Sequence, residues 1–502
     1  MPSLRILFTT LLIAGSVSAC MNAPANPHTT LTLSTPVHST VPAPARVASV
    51  ATATPSSTPP LTATATATPT ITPTRTTTPT PTVTPTPLKT FVLNQCAEIW
   101  QPGIYKLARN IVAPGTRDCF YIQSHNVIFD CDNHLIENST QYVKDKQYGY
   151  SAFHIRKFNF PLLESPTNVE IRNCRARYFK IALYASSGRN LYVHNNIFSD
   201  NLNTVDHTGF GIFLGLTEGG GIRFDDIEGG IIENNTTENQ AIGIDVRNSD
   251  HIVIRNNNAS RNSAWGIHLL NTSNSQVVNN TTRDNVRYCK WGSGVVGRGC
   301  DAAGIILQDG SSNNVIRDNQ VLGDNANGIF IKAHALRCGD NNLIENNKII
   351  GALYNAIEFS FCRGNRVIGN EMAGSYDAVY FGFSTDTEVR NNVIRDMRNH
   401  GIISWNSRGS IIANNEIHNS RVGIYMYWDE WDPKQFGFLP PSPDRYATRD
   451  NLIENNALRY NAVAGIRLTD AIFTRVINNT FEWNGKNVVM SGRSEGNIVS
   501  GQ

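Results

Sequence analysis

The sequence predicts an all-β solenoid, and three observations predict it. A two-part phrase recurs from about Asn168 onward: an apolar segment of the type Gly-Ile-x-Leu, then one of the type x-Val-Ile-x-Asn-Asn. Gly243-Ile244-Asp245-Val246 followed by Ile252-Val253-Ile254-Arg255-Asn256-Asn257 is one instance, and Gly328-Ile329-Phe330-Ile331 followed by Leu343-Ile344-Glu345-Asn346-Asn347 is another. Where uninterrupted, the steps between Gly243, Gly266, Gly304, Gly328, Gly401 and Gly423 are about 22 to 24 residues, a period that signals stacked coils. Within each phrase the apolar residues alternate, with Ile244 and Val246 on one side and Asp245 and Arg247 on the other, which is the period of a strand. Runs this short, separated by Gly, Asn, Ser and Asp, fit no helical pattern.

Three segments follow from the composition. Residues 1–20 read as an export signal: Arg5, an apolar run, then Val17-Ser18-Ala19-Cys20, which resembles the bacterial lipobox. Cleavage before Cys20 would leave a cysteine for lipidation, and buried acyl methylenes would anchor the chain to a membrane as a cell-surface or outer-membrane lipoprotein. Residues 21–90 are Thr, Pro, Ala and Ser, including Thr78-Pro79-Thr80-Pro81-Thr82; with few large apolar groups the segment cannot offset its ordering entropy and is expected to be a disordered, stiff spacer. Residues 91–502 are expected to be one solenoid domain of about a dozen coils, beginning with Pro102-Gly103-Ile104-Tyr105 and Asn126-Val127-Ile128-Phe129.

Charge narrows the partners. The chain holds 43 Lys and Arg against 41 Asp and Glu, which argues against a general nucleic-acid binder. Apart from Cys20 there are eight cysteines, an even number that in an exported chain points to disulfides, and no CxxC spacing suggests zinc. Cys338 and Cys362 fall at similar places in consecutive repeats and Cys289 and Cys300 bracket one insertion, so these are the expected pairs; Cys96, Cys119, Cys131 and Cys174 stay unassigned. The recurrent Asn pairs, such as Asn195-Asn196, Asn346-Asn347 and Asn478-Asn479, close the second strand of each coil and are expected to form a hydrogen-bonded amide ladder.

On these phrases the chain resembles the right-handed parallel β-helix proteins of the pectin-lyase-like superfamily, which includes NosD-like proteins, polysaccharide lyases and mannuronan C5-epimerases. The resemblance spans residues 91–502, and it implies a substrate groove on the outer face of the first strand of each coil. Fold alone leaves the function open. The first outward positions give a column that includes His154, Ala182, Phe213, Asp245, His268, Ile306, Phe330, Glu358, Tyr380, Ile403, Tyr425 and Arg467; the second adds Arg156, Tyr184, Arg247, Gln308, Lys332, Trp405 and Tyr427.

Coils lie about 4.8 Å apart, so Asp245 is expected beside His268 and Lys332 beside Glu358. An Asp that orients a His suits proton abstraction next to a sugar carboxylate. Arg247, Gln308 or Lys332 would hold that carboxylate and stabilise the enolate, and Glu358 would be an orienting or metal-binding acid. Tyr380, Trp405, Tyr425 and Tyr427 offer faces for sugar rings. Gly243-Ile244-Asp245 resembles the start of the epimerase Gly-Ile-Asp-Pro-His-Asp segment, with Val246, Arg247 and Asn248 in place of Pro, His and Asp.

The predicted activity is therefore lyase or C5-epimerase chemistry on an extended uronic-acid-containing polysaccharide. A non-catalytic binding or adhesion solenoid, and a NosD-like accessory protein, are the alternatives. A hydrolase would need paired carboxyls, for which Asp309 and Glu358 are the candidates. Calcium is compatible with these acids, although no calcium-loop motif is present and no cofactor is specified. Insertions at residues 285–300 and 429–450 are placed to carry binding loops.

Overall fold

A computed structural model describes residues 87–501, apart from 140–149, 159–163, 203, 206–216, 286–287, 291–295, 299–301, 324–325, 334–336 and 430–446. The expected export signal, Cys20 and nearly all of the Thr/Pro-rich segment lie outside the described residues, as does the expected pairing of Cys289 with Cys300.

The described chain winds into a right-handed parallel β-helix. One sheet runs sixteen strands from Thr90–Leu93 to Ile498–Ser500, and a second runs fifteen from Ala97–Ile99 to Val488–Ser491. The third face consists of five-stranded and eight-stranded sheets, and the single bridges of Asn258 to Thr236 and Thr281 carry the pairing between them. The second sheet is the one built from the Gly-Ile-x-Leu phrases.

Inward residues stack in files. Ile222, Ile244, Ile267, Ile305, Ile329 and Ile357 follow one another in register and are fully buried. Each such side chain contributes about 1.5–3 kcal/mol by leaving water, which makes the file the main source of cohesion between coils. A residue cannot leave it without shifting the whole strand face.

The Asn pairs divide their work. The first Asn takes a left-handed backbone, with φ of 57° at Asn256 and 54° at Asn279, a conformation Asn tolerates well. The second is buried and forms the ladder: Asn257 Nδ2 donates to Asn280 Oδ1 at 3.0 Å, Asn280 to Asn319 at 3.0 Å, and Asn319 to Asn347 at 2.9 Å. Each Oδ1 also accepts a backbone N–H from the preceding coil, as Asn280 does from Asn257 at 2.9 Å. The turn is thus dry and fully bonded.

The glycine of each phrase sets the shape of the outer face. A Cβ on Gly243 would stand 2.6 Å from the Gly266 carbonyl oxygen, and one on Gly266 2.6 Å from that of Gly304. Pairing skips these glycines: Ile242 is in register with Trp265, and Ile244 with Ile267. The residue before the glycine consequently faces outward, so the face carries three columns rather than the two that simple alternation predicts. Ile242, Trp265 and Ala303 accordingly cluster with the outward Ile306 and Phe330, apart from the interior core.

Among the described residues three disulfides staple consecutive coils: Cys96 to Cys119, Cys131 to Cys174, and Cys338 to Cys362. The last is one of the two expected pairs, and the first two assign the four cysteines left open.

Candidate functional site

The outward column that runs through Asp245 places Tyr121, His154, Tyr184, Arg223, Asp245, His268, Ile306, Phe330, Glu358, Tyr380, Ile403, Tyr425 and Arg467 in continuous register. Two positions differ from expectation. His154 pairs with Tyr184, not with Ala182, because Ala182 fills the place of the phrase glycine and is buried. Phe213 lies outside the described residues, and the strand at that level is Gly220–Asp225, which brings Arg223 next to Asp245. Gly221-Ile222-Arg223-Phe224 is itself a phrase of the repeat, the signal by which Arg223 was findable.

Asp245 and His268 sit on adjacent coils with Nδ1 of His268 2.9 Å from Oδ1 of Asp245. Both are essentially inaccessible, at 2% and 1% exposure. Arg223 Nε lies 2.7 Å from Asp245 Oδ2, and Arg247 Nε lies 3.0 Å from both carboxylate oxygens. Burial alone would raise the Asp245 carboxyl; the charges of Arg247 and Arg223 and the His268 hydrogen bond outweigh it and hold the group well below the usual carboxylate range. Burial lowers the His268 imidazole, so the ring is neutral, with Asp245 opposing that shift.

A neutral ring that gives Nδ1–H to Asp245 must accept at Nε2. Gln308 Oε1 lies 2.8 Å from that nitrogen, and turning the amide about its Cγ–Cδ bond brings the Nε2 donor to the same place. Trp265 closes over the ring, centroids 4.6 Å apart. His268 thus has both nitrogens engaged, and this cluster is a locked electrostatic knot rather than an open base.

Lys332 and Glu358 are not in register with one another. Lys332 pairs with Gln308, while Glu358 pairs with Phe330, so the two stand diagonally on neighbouring coils. Glu358 is buried and accepts from Asn355 Nδ2 at 2.8 Å. Between His268 and Glu358 the column holds the buried Ile306 and Phe330, three coil steps or about 14 Å. The predicted quartet is therefore split: Asp245 and His268 form one cluster, and Glu358 belongs to another. Asp309 takes a left-handed turn, φ 51°, and lies 3.4 Å from Arg337.

The second cluster is C-terminal to the apolar stretch. Trp405 and Tyr427 are in register and stacked, 6.0 Å and 10° apart, and Tyr425 stacks on Tyr427 at 5.0 Å and 19°. All three are half-buried. Arg467 caps the Tyr425 ring, its guanidinium 5.1 Å from the centroid, and has no carboxylate partner among the described residues. Burial raises the Tyr427 hydroxyl, with the neighbouring Tyr425 and Asp429 adding to the shift, so it stays protonated. Tyr380, next to Glu358 in the column, is buried.

Asp377 and His400 complete this cluster and were missed by alternation, because each precedes the small residue at the pinch and only the extra outward column turns it toward the outer face, where both are buried. His400 Nδ1 lies 2.9 Å from Asp377 Oδ1 and 2.7 Å from Asn399 Nδ2, and its ring sits 5.3 Å from Tyr425. Nε2 of His400 has no hydrogen-bond partner among the described residues. Asp-His pairing orients the ring and leaves one nitrogen for chemistry, in contrast to His268. No group of three or more His, Cys, Asp or Glu among the described residues is placed to hold a metal ion.

Fold and sequence together define the class: residues 216–350 and 334–502 match the family described as right handed beta helix region, and the chain belongs to it. A search of curated proteins gives no match. Among solved structures the chain is similar to the A-module of the Azotobacter vinelandii mannuronan C-5 epimerase AlgE4, at 14% identity and a TM-score of 0.46 over 81% of this chain and 91% of that one. It is also similar to the Streptococcus pneumoniae surface protein and adhesin PfbA (11%, TM-score 0.40, 79% and 91%) and to a mutant of the Arthrobacter chlorophenolicus A6 DFA-IIIase in complex with DFA-III (12%, TM-score 0.39, 69% and 84%).

Proposed function

We propose that the protein is an exported, surface-anchored β-helix that binds an extended uronic-acid-containing polysaccharide and acts on it by lyase or C5-epimerase chemistry. The observation that carries this reading is the row of Trp405, Tyr427 and Tyr425 ending at Arg467, beside the His400 and Asp377 pair. Flat half-buried rings take sugar faces, and a guanidinium without a carboxylate partner among the described residues suits a uronate carboxylate. His400, oriented by Asp377, would abstract the proton next to that carboxylate, and the protonated Tyr427 would return one. Lipidation of Cys20 would hold the domain at the cell surface.

A non-catalytic binding solenoid is the second reading, favoured by the closed state of Asp245 and His268. Incubation of the purified domain with a panel of uronate polysaccharides separates the two. Ultraviolet absorbance from an unsaturated product marks a lyase, and deuterium incorporation at C5 marks an epimerase; either should be abolished in His400→Ala. Binding without turnover leaves the binding solenoid, and neither binding nor turnover overturns both.

A further inference from the structure

Far from the aromatic row, near the N-terminal end of the same sheet, three residues from successive coils meet. His154 Nδ1 lies 2.8 Å from Asp118 Oδ2, and His154 Nε2 lies 3.3 Å from Ser186 Oγ. We propose that Ser186, His154 and Asp118 form a nucleophilic triad that hydrolyses acyl esters, of the kind carried on saccharide hydroxyls. In the register of the strands, His154 is in line with Tyr184, and Ser186 stands one outward position further along. The diagonal brings its hydroxyl to the far nitrogen of the ring.

The supports are those a triad needs. Asp118 is held by the backbone N–H of Ser151, 2.5 Å from its Oδ1, which leaves Oδ2 for the ring. An ionised acid only accepts, so His154 must give Nδ1–H to Asp118 and present the lone pair of Nε2 to the serine. The ring is clamped between Tyr121, centroids 5.0 Å apart, and Tyr184, stacked at 4.9 Å. Asp118 is buried while His154 and Ser186 are half-buried, so the reacting end is the accessible one. The 3.3 Å separation is of the length that tightens when substrate binds.

The step balances with water alone. Ser186 Oγ attacks the acyl carbonyl carbon while its proton passes to His154 Nε2, and the bond to the sugar oxygen then breaks as His154 protonates that oxygen. Water, deprotonated by His154, hydrolyses the acyl-serine, releasing a carboxylic acid and regenerating the hydroxyl. Arg156, two residues beyond His154 with its guanidinium 4.6 Å over the Tyr121 ring, is a cation on this face that can offset the developing oxyanion.

The full chain would be treated with a fluorophosphonate and assayed with 4-nitrophenyl acetate. The expected results are a single adduct mapped by mass spectrometry to Ser186, and turnover that falls on the order of 10²–10⁴-fold in Ser186→Ala. Asp118→Asn, which retains an acceptor for the Ser151 amide, should fold with an unchanged melting temperature yet label far more slowly. No adduct on folded protein, an adduct at another residue, or undiminished turnover in Ser186→Ala would each overturn the proposal. The polysaccharide assays read a different group of residues, so failure here and failure of the polysaccharide reading are told apart.

Discussion

His268 Nδ1 lies 2.9 Å from Asp245 Oδ1 across one coil step, and neither side chain reaches solvent. Two arginines neutralise the carboxylate from either side, one from the coil below and one from its own strand. The pair is thereby a rivet between coils whose value depends on every partner staying in place.

Removing that charge alone should be severe. Asp245→Asn takes from Arg223 and Arg247 the carboxylate that both of them hold, at a position that is itself fully buried, and a loss of about 3–5 kcal/mol is expected. Replacing the group together, as Arg223→Met, Asp245→Leu, Arg247→Met, His268→Phe and Gln308→Leu, should recover most of the loss, since a buried ion cluster repays little of its desolvation. Urea unfolding of the two variants checks this. Equal stability in Asp245→Asn and the parent chain would refute the rivet.

Acid should loosen the helix in two stages. The imidazole of His268 has a folded-state pKa below its ordinary 6.5, so in the unfolded chain it takes up a proton that the folded chain refuses. Its contribution is complete above pH 6.5 and is lost as pH falls from there toward the folded value. Asp245, lowered well below 3.8, adds a second loss that begins only as pH falls past that value. A proton-uptake slope of at most about 1.4 kcal/mol per pH unit below about 6.5 should be missing in His268→Gln. Identical pH profiles for the two chains would rule this out.

The Asn ladder predicts opposite outcomes for neighbouring residues. Asn370 donates to Asn392 Oδ1 at 3.0 Å and to the Ile344 carbonyl at 2.9 Å, and accepts from the Asn347 backbone at 2.9 Å. Asn370→Ala orphans those groups in a dry turn and should cost about 3 kcal/mol or more, at roughly 1–3 kcal/mol for each buried group left unpaired. Asn391, exposed with φ of 56°, occupies the place that Gly369 fills one coil earlier. Asn391→Gly should change stability by less than about 1 kcal/mol, whereas Asn391→Val should lose about 1–2 kcal/mol to backbone strain. Thermal melts that rank these three differently would contradict the division of labour.

Most of the fold was legible because a solenoid repeats its physics: the inward file, the Asn turn and the pinch glycine recur at each coil, so Ile244, Asn257 and Gly243 each announce a position. The adjacency of Asp245 and His268 followed from that period. What escaped was local. The extra outward column depends on pairing that skips a residue at Gly243, a deviation that no alternating pattern encodes, and it hid Asp377 and His400. Register across an insertion escaped too, since the repeat after Ala185 resumes at Gly220 rather than near Phe213. The diagonal of Ser186 onto His154 is a side-chain reach, and spacing along the chain does not contain it.

The aromatic row yields the last prediction. Tyr427 stacks on both Trp405 and Tyr425, so it is the keystone of the platform and not only one more surface. Tyr427→Ala should weaken oligouronate binding by more than Trp405→Ala, about tenfold or more, because it removes its own face and unsettles two others. Arg467→Gln should weaken uronate binding while leaving neutral glycans unaffected, since only the carboxylate contact is lost. Calorimetric titration of the three variants with charged and neutral oligosaccharides reads both effects. If Arg467→Gln weakens neutral and charged ligands alike, the guanidinium acts by holding Tyr425 in place, and the uronate preference must come from elsewhere on the face.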